Sequence, residues 1–297
     1  MLQFENPKIR FIYNQRMTLK QALAQAVETL TRNDVGSPRM NAEVLLMFVL
    51  NCDRAYLYAH SERELSEAEA TRYDECIARR SSGIPSQYIT GHQEFWGLDL
   101  IVSPAVLIPR PETEHIIEVV LELLKQHPVE RPRIVDVGTG SGAIALALAQ
   151  SIPSADVLAV DLSREALDLA QANAARLQLE RVRFAQSDVL TNVDLDASFD
   201  FVVSNPPYVA LSEADKVQDV VKKFEPKMAV FAGEHGLDVI QKLIPQSRAA
   251  LKPGGWIVME IGFSMSEAVM ALLSEWNDVH AVPDLAGIPR VIVARKP

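Results

Sequence analysis

The sequence predicts an α/β protein: a mostly parallel, doubly wound sheet preceded by a small helical bundle. Three observations predict it. Beyond residue 111, short β-branched apolar runs alternate with stretches of helical period, the pattern of strands joined by crossover helices. A glycine-rich turn, residues 138–142, falls where the first of these runs gives way to a helical stretch. Residues 18–83 show helical period with no strand pattern.

Composition agrees with that class. The chain has 297 residues, 48% hydrophobic and 23% charged, which excludes collagen-like, low-complexity and disordered classes. The length suits about two domains. No apolar run approaches the ~18 residues of a membrane span. Two cysteines, Cys52 and Cys76, make neither a disulfide framework nor a zinc site, and the N-terminus lacks a secretory pattern. A cytoplasmic monomer is the expectation. Met17 is a second plausible start, so residues 1–16 read as a possible extension. Residues 1–88 hold eleven basic and eleven acidic residues, so the remainder carries the whole net charge of −10. That balance argues against direct nucleic-acid binding, which needs clustered Lys and Arg.

The helical part, residues 17–88, opens at Thr18, which forms a capping box with Gln21 ahead of Leu19, Leu23, Val27 and Leu30. A second helix is expected over residues 40–52, with Ala42, Leu45, Leu46 and Val49 on one side. Ser66 and Glu69 form another capping box, and Gly83 ends that helix. The bundle carries no chemistry and reads as a substrate-docking domain. Residues 89–110 read as a hairpin or linker rich in Gly, Pro and aromatics, in which Phe95 and Trp96, with Tyr88 just before, pack against a domain or line a pocket wall. Residues 111–297 form the sheet domain. Strands are expected at 133–138, 157–161, 182–188, 199–205, 256–262 and 290–296. Helices are expected at 114–124, 142–150, 164–177, 237–251 and 264–276. Gly254-Gly255 reads as a tight turn before a strand.

Gly138, Thr139, Gly140, Ser141 and Gly142 form the turn that lets backbone approach a ligand without Cβ obstruction. Asp161 ends the next strand, where a carboxylate accepts ribose hydroxyls. Asp188 lies where an adenine amino group would be met. The glycine spacing is closer to an S-adenosyl-L-methionine site than to a dinucleotide site, and a sulfonium gains from acidic surroundings. Asp136 is placed to face the methionine amino group.

Ser204-Asn205-Pro206-Pro207-Tyr208 ends the fourth strand and shares the crevice outside the carboxyl ends of the strands. Asn205 Oδ1 and the Pro206 carbonyl make a two-acceptor fork for a planar –NH2 group, and Tyr208 offers an aromatic face. Asn205, Pro206 and Tyr208 are the expected catalytic set, with Pro207 added for substrate binding. Alignment of an activated methyl donor supplies up to ~7–11 kcal/mol, so no strong base is required.

With these residues in place, the chain resembles the bacterial peptide chain release factor glutamine methyltransferases. The resemblance runs from about Thr18 and rests on QYITGHQEFWGLDL, LIPRPETE (residues 107–114), VDVGTGSGAIA, VSNPPYV, FEPKMAVFAGEHGLD, LKPGGWIVMEIG and DLAGIPRVIV. The Pro-Arg-Pro-Glu-Thr-Glu run separates it from the sister family acting on a ribosomal protein. The resemblance implies a seven-stranded Rossmann-like methyltransferase sheet and methylation of the glutamine side-chain nitrogen in the Gly-Gly-Gln motif of class 1 release factors. It implies cofactor contacts from Gly138 to Gly142 and Asp161, with Val189 against the adenine, and substrate contacts from Asn205 to Tyr208. The helical domain would contact the release factor outside the tripeptide.

The six histidines show no metal-ligand spacing, and no metal is expected. Glu225-Pro226 and residues 233–236 read as a turn shaping the crevice, and Glu260 as a candidate lining residue. The alternatives are an adenine-specific nucleic-acid amino methyltransferase, a glutamine methyltransferase acting on a ribosomal protein, a non-catalytic binding module and a nicotinamide oxidoreductase. A duplex substrate would need a basic face and room for a flipped base.

Overall fold

The computed structural model describes residues 17–193, 198–284 and 286–297; the possible extension at residues 1–16 lies outside the described residues. The chain divides into two compact units, with the boundary between Thr90 and Gly91.

The first unit contains α1 (Leu19–Arg32), α2 (Pro38–Leu50), α3 (Arg54–Ala59), α4 (Glu67–Ser81) and α5 (Ser86–Thr90). Thr18 and Ser66 each accept the N3 backbone N–H while Gln21 and Glu69 return a bond to the cap N–H, so both capping boxes form. Leu19, Leu30, Leu45 and Leu46 are fully buried, and the Tyr73 hydroxyl donates to the Ala42 carbonyl. The short α3 and α5 carry too few turns to show a period. Only the Asp53 cap of α3 leaves a local trace.

The second unit begins with a hairpin, β1 (His92–Phe95) and β2 (Leu98–Ile101), paired antiparallel. Trp96 and Gly97 turn it with φ of +52° and +72°, as a two-residue hairpin loop requires. Phe95, Leu98 and Leu100 enter this unit's core, so residues 91–110 of the segment read as hairpin or linker are structurally part of the sheet unit, while Ile89 and Thr90 close the first unit. Tyr88, Phe95 and Trp96 pack; the Trp96 indole N–H donates to Ser151 at 2.9 Å.

The main sheet comprises β3 (Arg133–Val137), β4 (Asp156–Asp161), β5 (Arg183–Gln186), β6 (Phe199–Ser204), β7 (Leu251–Glu260), β8 (Asn277–Pro283) and β9 (Pro289–Arg295). Their order is β5-β4-β3-β6-β7-β9-β8, parallel from β5 to β7, with β9 antiparallel to both its neighbours. The sequence did not show β8, because it is an edge strand whose residues stay exposed or half-buried. Gly254 and Gly255 lie inside β7, where pairing with β6 breaks between Phe199↔Leu251 and Phe201↔Trp256. The helices of the unit are α6 (Glu114–Gln126), α7 (Ala143–Ser151), α8 (Arg164–Arg176), α9 (Asp219–Phe224), α10 (Lys227–Val230), α11 (Asp238–Ala250) and α12 (Ser266–Leu272). Apolar clusters form on both sheet faces, one with α6 and α7, the other with α11 and α12. Every residue from Ala143 to Ala149 is buried, so α7 shows no amphipathic stripe.

Thr18→Ala removes a cap from a helix whose apolar face anchors the first unit. It should lower the stability of that unit by about 1 kcal/mol, read as a lower urea midpoint at unchanged slope.

Candidate active site

From β3 the chain winds outward through β4 and β5, then returns to place β6 on the other side of β3. A crevice opens at such a switch point, outside the carboxyl ends of the strands. The register puts Val137 opposite Ser204, and the Ser204 hydroxyl donates to the Val137 carbonyl at 2.7 Å. The residues that follow the two strands, Gly138 and Asn205, therefore emerge side by side and line one cavity.

Gly138, Thr139, Gly140 and Ser141 line that cavity. Gly138 and Gly140 have φ of +73° and +56°, and nothing lies within 4 Å of where a Cβ would stand. Gly142 sits behind them: it does not line the cavity, and a Cβ there would meet Leu146 at 3.0 Å and Ala170 at 3.3 Å. Its role is close packing of the turn against α7 and α8. Asn173 supports the turn from below, donating to the Ser141 and Ile101 carbonyls.

Asp136 is placed differently from the expectation. It is fully buried beneath the turn and does not line the cavity. Its Oδ2 accepts the Thr139 hydroxyl at 2.6 Å and the Ala145 N–H at 3.1 Å, while Oδ1 has no partner among the described residues. Burial pushes its carboxyl up to about 7, against the two hydrogen bonds, with the Asp161 charge adding to the rise.

Asp161 lines the cavity, its oxygens accepting the Gly140 N–H at 2.9 Å and the Ser163 N–H at 2.8 Å. Each oxygen keeps a second acceptor site for a ligand hydroxyl. Burial raises this carboxyl too, opposed by the backbone donors. Asp188 lines the cavity, but its Oδ2 is paired with Lys242 at 3.3 Å and half the side chain is exposed. Val189 also lines it, buried and with φ of +55°. A β-branched residue in the left-handed region is strained, so the neighbouring structure holds this side chain in place.

Asn205, Pro206 and Pro207 line the same cavity. Tyr208 does not; its ring is packed against the core on the α11–α12 face, and its hydroxyl donates to Glu260 Oε1 at 3.1 Å. The expected aromatic face is thus turned inward by packing. Burial, and then the Glu260 charge, push the phenol above its ordinary range. Glu260 closes a network that sequence reading left incomplete. Its Oε2 accepts the Thr113 hydroxyl at 2.6 Å, and Thr113 Oγ1 accepts Asn205 Nδ2–H at 3.0 Å. Burial raises the Glu260 carboxyl, against the bonds from Thr113 and Tyr208. Glu260 itself does not line the cavity, whereas Thr113 does. Thr113 lies in the Pro-Arg-Pro-Glu-Thr-Glu run, which was the available signal. In the turn read as shaping the crevice, Pro226 lines the cavity and residues 233–236 do not; Glu225 is buried, accepts the Ile108 N–H at 3.2 Å and pairs with Arg110 at 2.5 Å. Gly236 is forced by close approach, since a Cβ there would lie 2.4 Å from the Tyr208 carbonyl oxygen. Among the described residues, no group of three or more His, Cys, Asp or Glu is arranged to hold a metal ion. Nor is any described helix long and apolar enough to cross a membrane.

Comparison with known proteins gives matches over both units. The PrmC N-terminal domain family matches residues 21–91, and the methyltransferase small domain family matches residues 115–227. The release factor glutamine methyltransferase of Koribacter versatilis is 58% identical over 281 residues, covering 95% of this chain and 99% of the relative. The chain belongs to the release factor glutamine methyltransferase family. The Moorella thermoacetica member is 43% identical, covering 94% and 98%, and the Salmonella typhimurium member 40%, covering 94% and 99%. Among solved structures, the hMettl16 catalytic domain in complex with an RNA hairpin matches with a TM-score of 0.56 and 18% identity, over 82% of this chain and 92% of that one. A T. thermophilus 16S rRNA methyltransferase, RsmC, matches with a TM-score of 0.53 and 22% identity, over 69% and 50%. At those identities the likeness is one of fold, the Rossmann-like methyltransferase sheet. The protein is a methyltransferase.

The Asp136 carboxyl of this methyltransferase links stability to pH. Folding raises it from 3.8 to about 7, so between those values the folded chain holds a proton that the unfolded chain lacks. Stability from this group is therefore full at low pH and falls as pH rises toward 7, by about 1.4 kcal/mol per pH unit. In urea unfolding from pH 5 to 8, the native chain should lose stability more steeply than Asp136→Asn, by about 1.4 kcal/mol per pH unit below pH 7; parallel curves for the two would exclude it.

Proposed function

We propose that this methyltransferase transfers a methyl group from S-adenosyl-L-methionine to the side-chain amide nitrogen of the glutamine in the Gly-Gly-Gln motif of class 1 peptide chain release factors. The observation that carries the reading is the convergence of the glycine turn and Asn205 on one cavity at the β3–β6 switch point. The open Cβ positions at Gly138 and Gly140 fit a ligand pressed against the backbone. The spare acceptor sites on Asp161 fit ribose hydroxyls. Val189 and Asp188 supply the adenine end of the cavity. The raised carboxyls of Asp136 and Asp161 suit a cation, because a nearby positive charge favours their ionised forms.

The bound cofactor supplies an electrophilic methyl on a positive sulfur and leaves as S-adenosyl-L-homocysteine. Asn205 Oδ1 and the Pro206 carbonyl each accept one hydrogen of the substrate –NH2. This directs the amide lone pair toward the methyl and stabilises the positive charge that develops on nitrogen as the C–N bond forms and the C–S bond breaks; the nitrogen then gives up one of its two protons to water. The prolines stiffen the segment, so the fork is formed before substrate arrives. The helical unit is proposed to dock the release factor outside the tripeptide. A net charge of −10 supports a protein substrate over a nucleic-acid one.

Mass spectrometry of a purified class 1 release factor, incubated with this protein and adenosylmethionine, tests the reading. One methyl on the tripeptide glutamine is expected, and none on a Gln→Ala factor or a DNA oligonucleotide. Methyl on DNA alone would keep the fold and overturn the substrate.

Two substitutions separate the roles. Asn205→Ala should abolish turnover with cofactor affinity nearly unchanged by calorimetry. Asp161→Ala should weaken cofactor binding by roughly 10–100-fold, the loss of a charged hydrogen bond of about 1.5–3 kcal/mol.

A further inference from the structure

A carboxamide can present either its oxygen or its NH2, and Asn205 is useful as an acceptor only when held one way round. Thr113 decides which way. Its hydroxyl has one proton, and that proton goes to Glu260 Oε2, at 2.6 Å. The Thr113 oxygen is then left to accept, and it accepts from Asn205 Nδ2 at 3.0 Å. The Asn205 NH2 group is therefore tied to Thr113. Its Oδ1 makes no hydrogen bond among the described residues, and Asn205 lines the cavity. Glu260 is fixed in turn by the Tyr208 hydroxyl at 3.1 Å. Thr113 is 4% exposed and Glu260 2%, so water does not compete for these bonds.

We propose that Thr113, tied to Glu260, is the positioning residue that locks the Asn205 carboxamide with its oxygen toward substrate and thereby makes the site select a carboxamide over a carboxylate. The inference rests on the reading of Asn205 as the fork that holds glutamine. A carboxamide brings two N–H donors to Asn205 Oδ1 and the Pro206 carbonyl. A carboxylate of the same shape brings only acceptors and finds none of its own. Sites built around a substrate N–H or O–H reject analogues lacking it by on the order of 10⁴-fold. Donation from Nδ2 along this chain of hydrogen bonds also makes Oδ1 a better acceptor.

The experiment compares native protein, Thr113→Val, Thr113→Ser and Glu260→Gln on a whole release factor carrying Gln or Glu in the tripeptide, the Glu form serving as competitive inhibitor. Cofactor affinity and thermal melting report on folding. In Thr113→Val, kcat should fall by about 10–100-fold, as a misaligned reacting group produces, with cofactor Kd within about twofold. The ratio of the inhibition constant of the Glu factor to the KM of the Gln factor should fall at least about tenfold, since the freed amide can present NH2 to a carboxylate. Thr113→Ser keeps the hydroxyl and should restore both. Glu260→Gln can donate its own N–H to Thr113, reversing the relay, and should reproduce the Val phenotype even if Val perturbs folding.

Native discrimination and kcat in both Thr113→Val and Glu260→Gln would overturn the proposal. So would Thr113→Ser as impaired as Thr113→Val, because shape and not the hydroxyl would then matter. Failure of the native protein to methylate the Gln factor is a different result: it overturns the glutamine reading itself and this inference with it.

Discussion

The register between β3 and β6 is the constraint on which the site depends. Val137 and Ser204 are paired across two parallel strands and joined again by the Ser204 hydroxyl. Because side chains alternate along a strand, a slip of one residue would turn each apolar position on β6 to the opposite face. Both faces of this junction are packed, with Val135, Val137 and Val202 in the cluster on one face and Phe201 and Val203 in the cluster on the other, so such a slip would exchange their packing partners. Core packing on both faces and the Ser204–Val137 hydrogen bond thus together set the relative position of the glycine turn and Asn205.

Around that junction, polar groups are buried in an order that gives each a separate task. Asp136 laces the glycine turn to the start of α7, Asp161 laces it to the start of α8, and Glu260 holds Thr113 and Tyr208. Each carboxyl is raised by burial, because a negative charge at any of these places loses solvation. Hydrogen bonds recover part of that cost. Asp136 Oδ1 has no hydrogen-bond partner among the described residues. Asp136 and Asp161 tie the turn to the helices that follow it.

The Pro-Arg-Pro-Glu-Thr-Glu segment ties the cavity wall to two distant parts of the chain. Arg110 and the Ile108 N–H engage Glu225, while Thr113 engages Glu260 and Asn205. The prolines remove N–H donors that this irregular stretch would otherwise have to satisfy. The segment, the Glu225 turn and the end of β7 therefore form one rigid wall within the sheet unit. Gly236, forced by its approach to the Tyr208 carbonyl, packs against the chain just beyond Pro207.

Much of this was legible in the sequence because it is written in local terms. The capping boxes at Thr18 and Ser66, the glycine turn, and the Asn205-Pro206-Pro207 loop each depend on residues a few positions apart, Asp161 follows at the end of the very next strand, and the structure forms them where the pattern put them. The edge strand β8 was not legible, since an edge strand needs no apolar run. Nor was the inward turn of Tyr208, the displacement of Asp136 below the turn, or the partnership of Thr113 with Asn205, ninety-two residues apart. By itself the sequence determined which elements form and which groups stand at their ends, because period, caps and turns are set by neighbours along the chain. Only the tertiary structure decided which of those groups face the cavity and which face one another, because sheet order and core packing bring together residues that no local pattern relates.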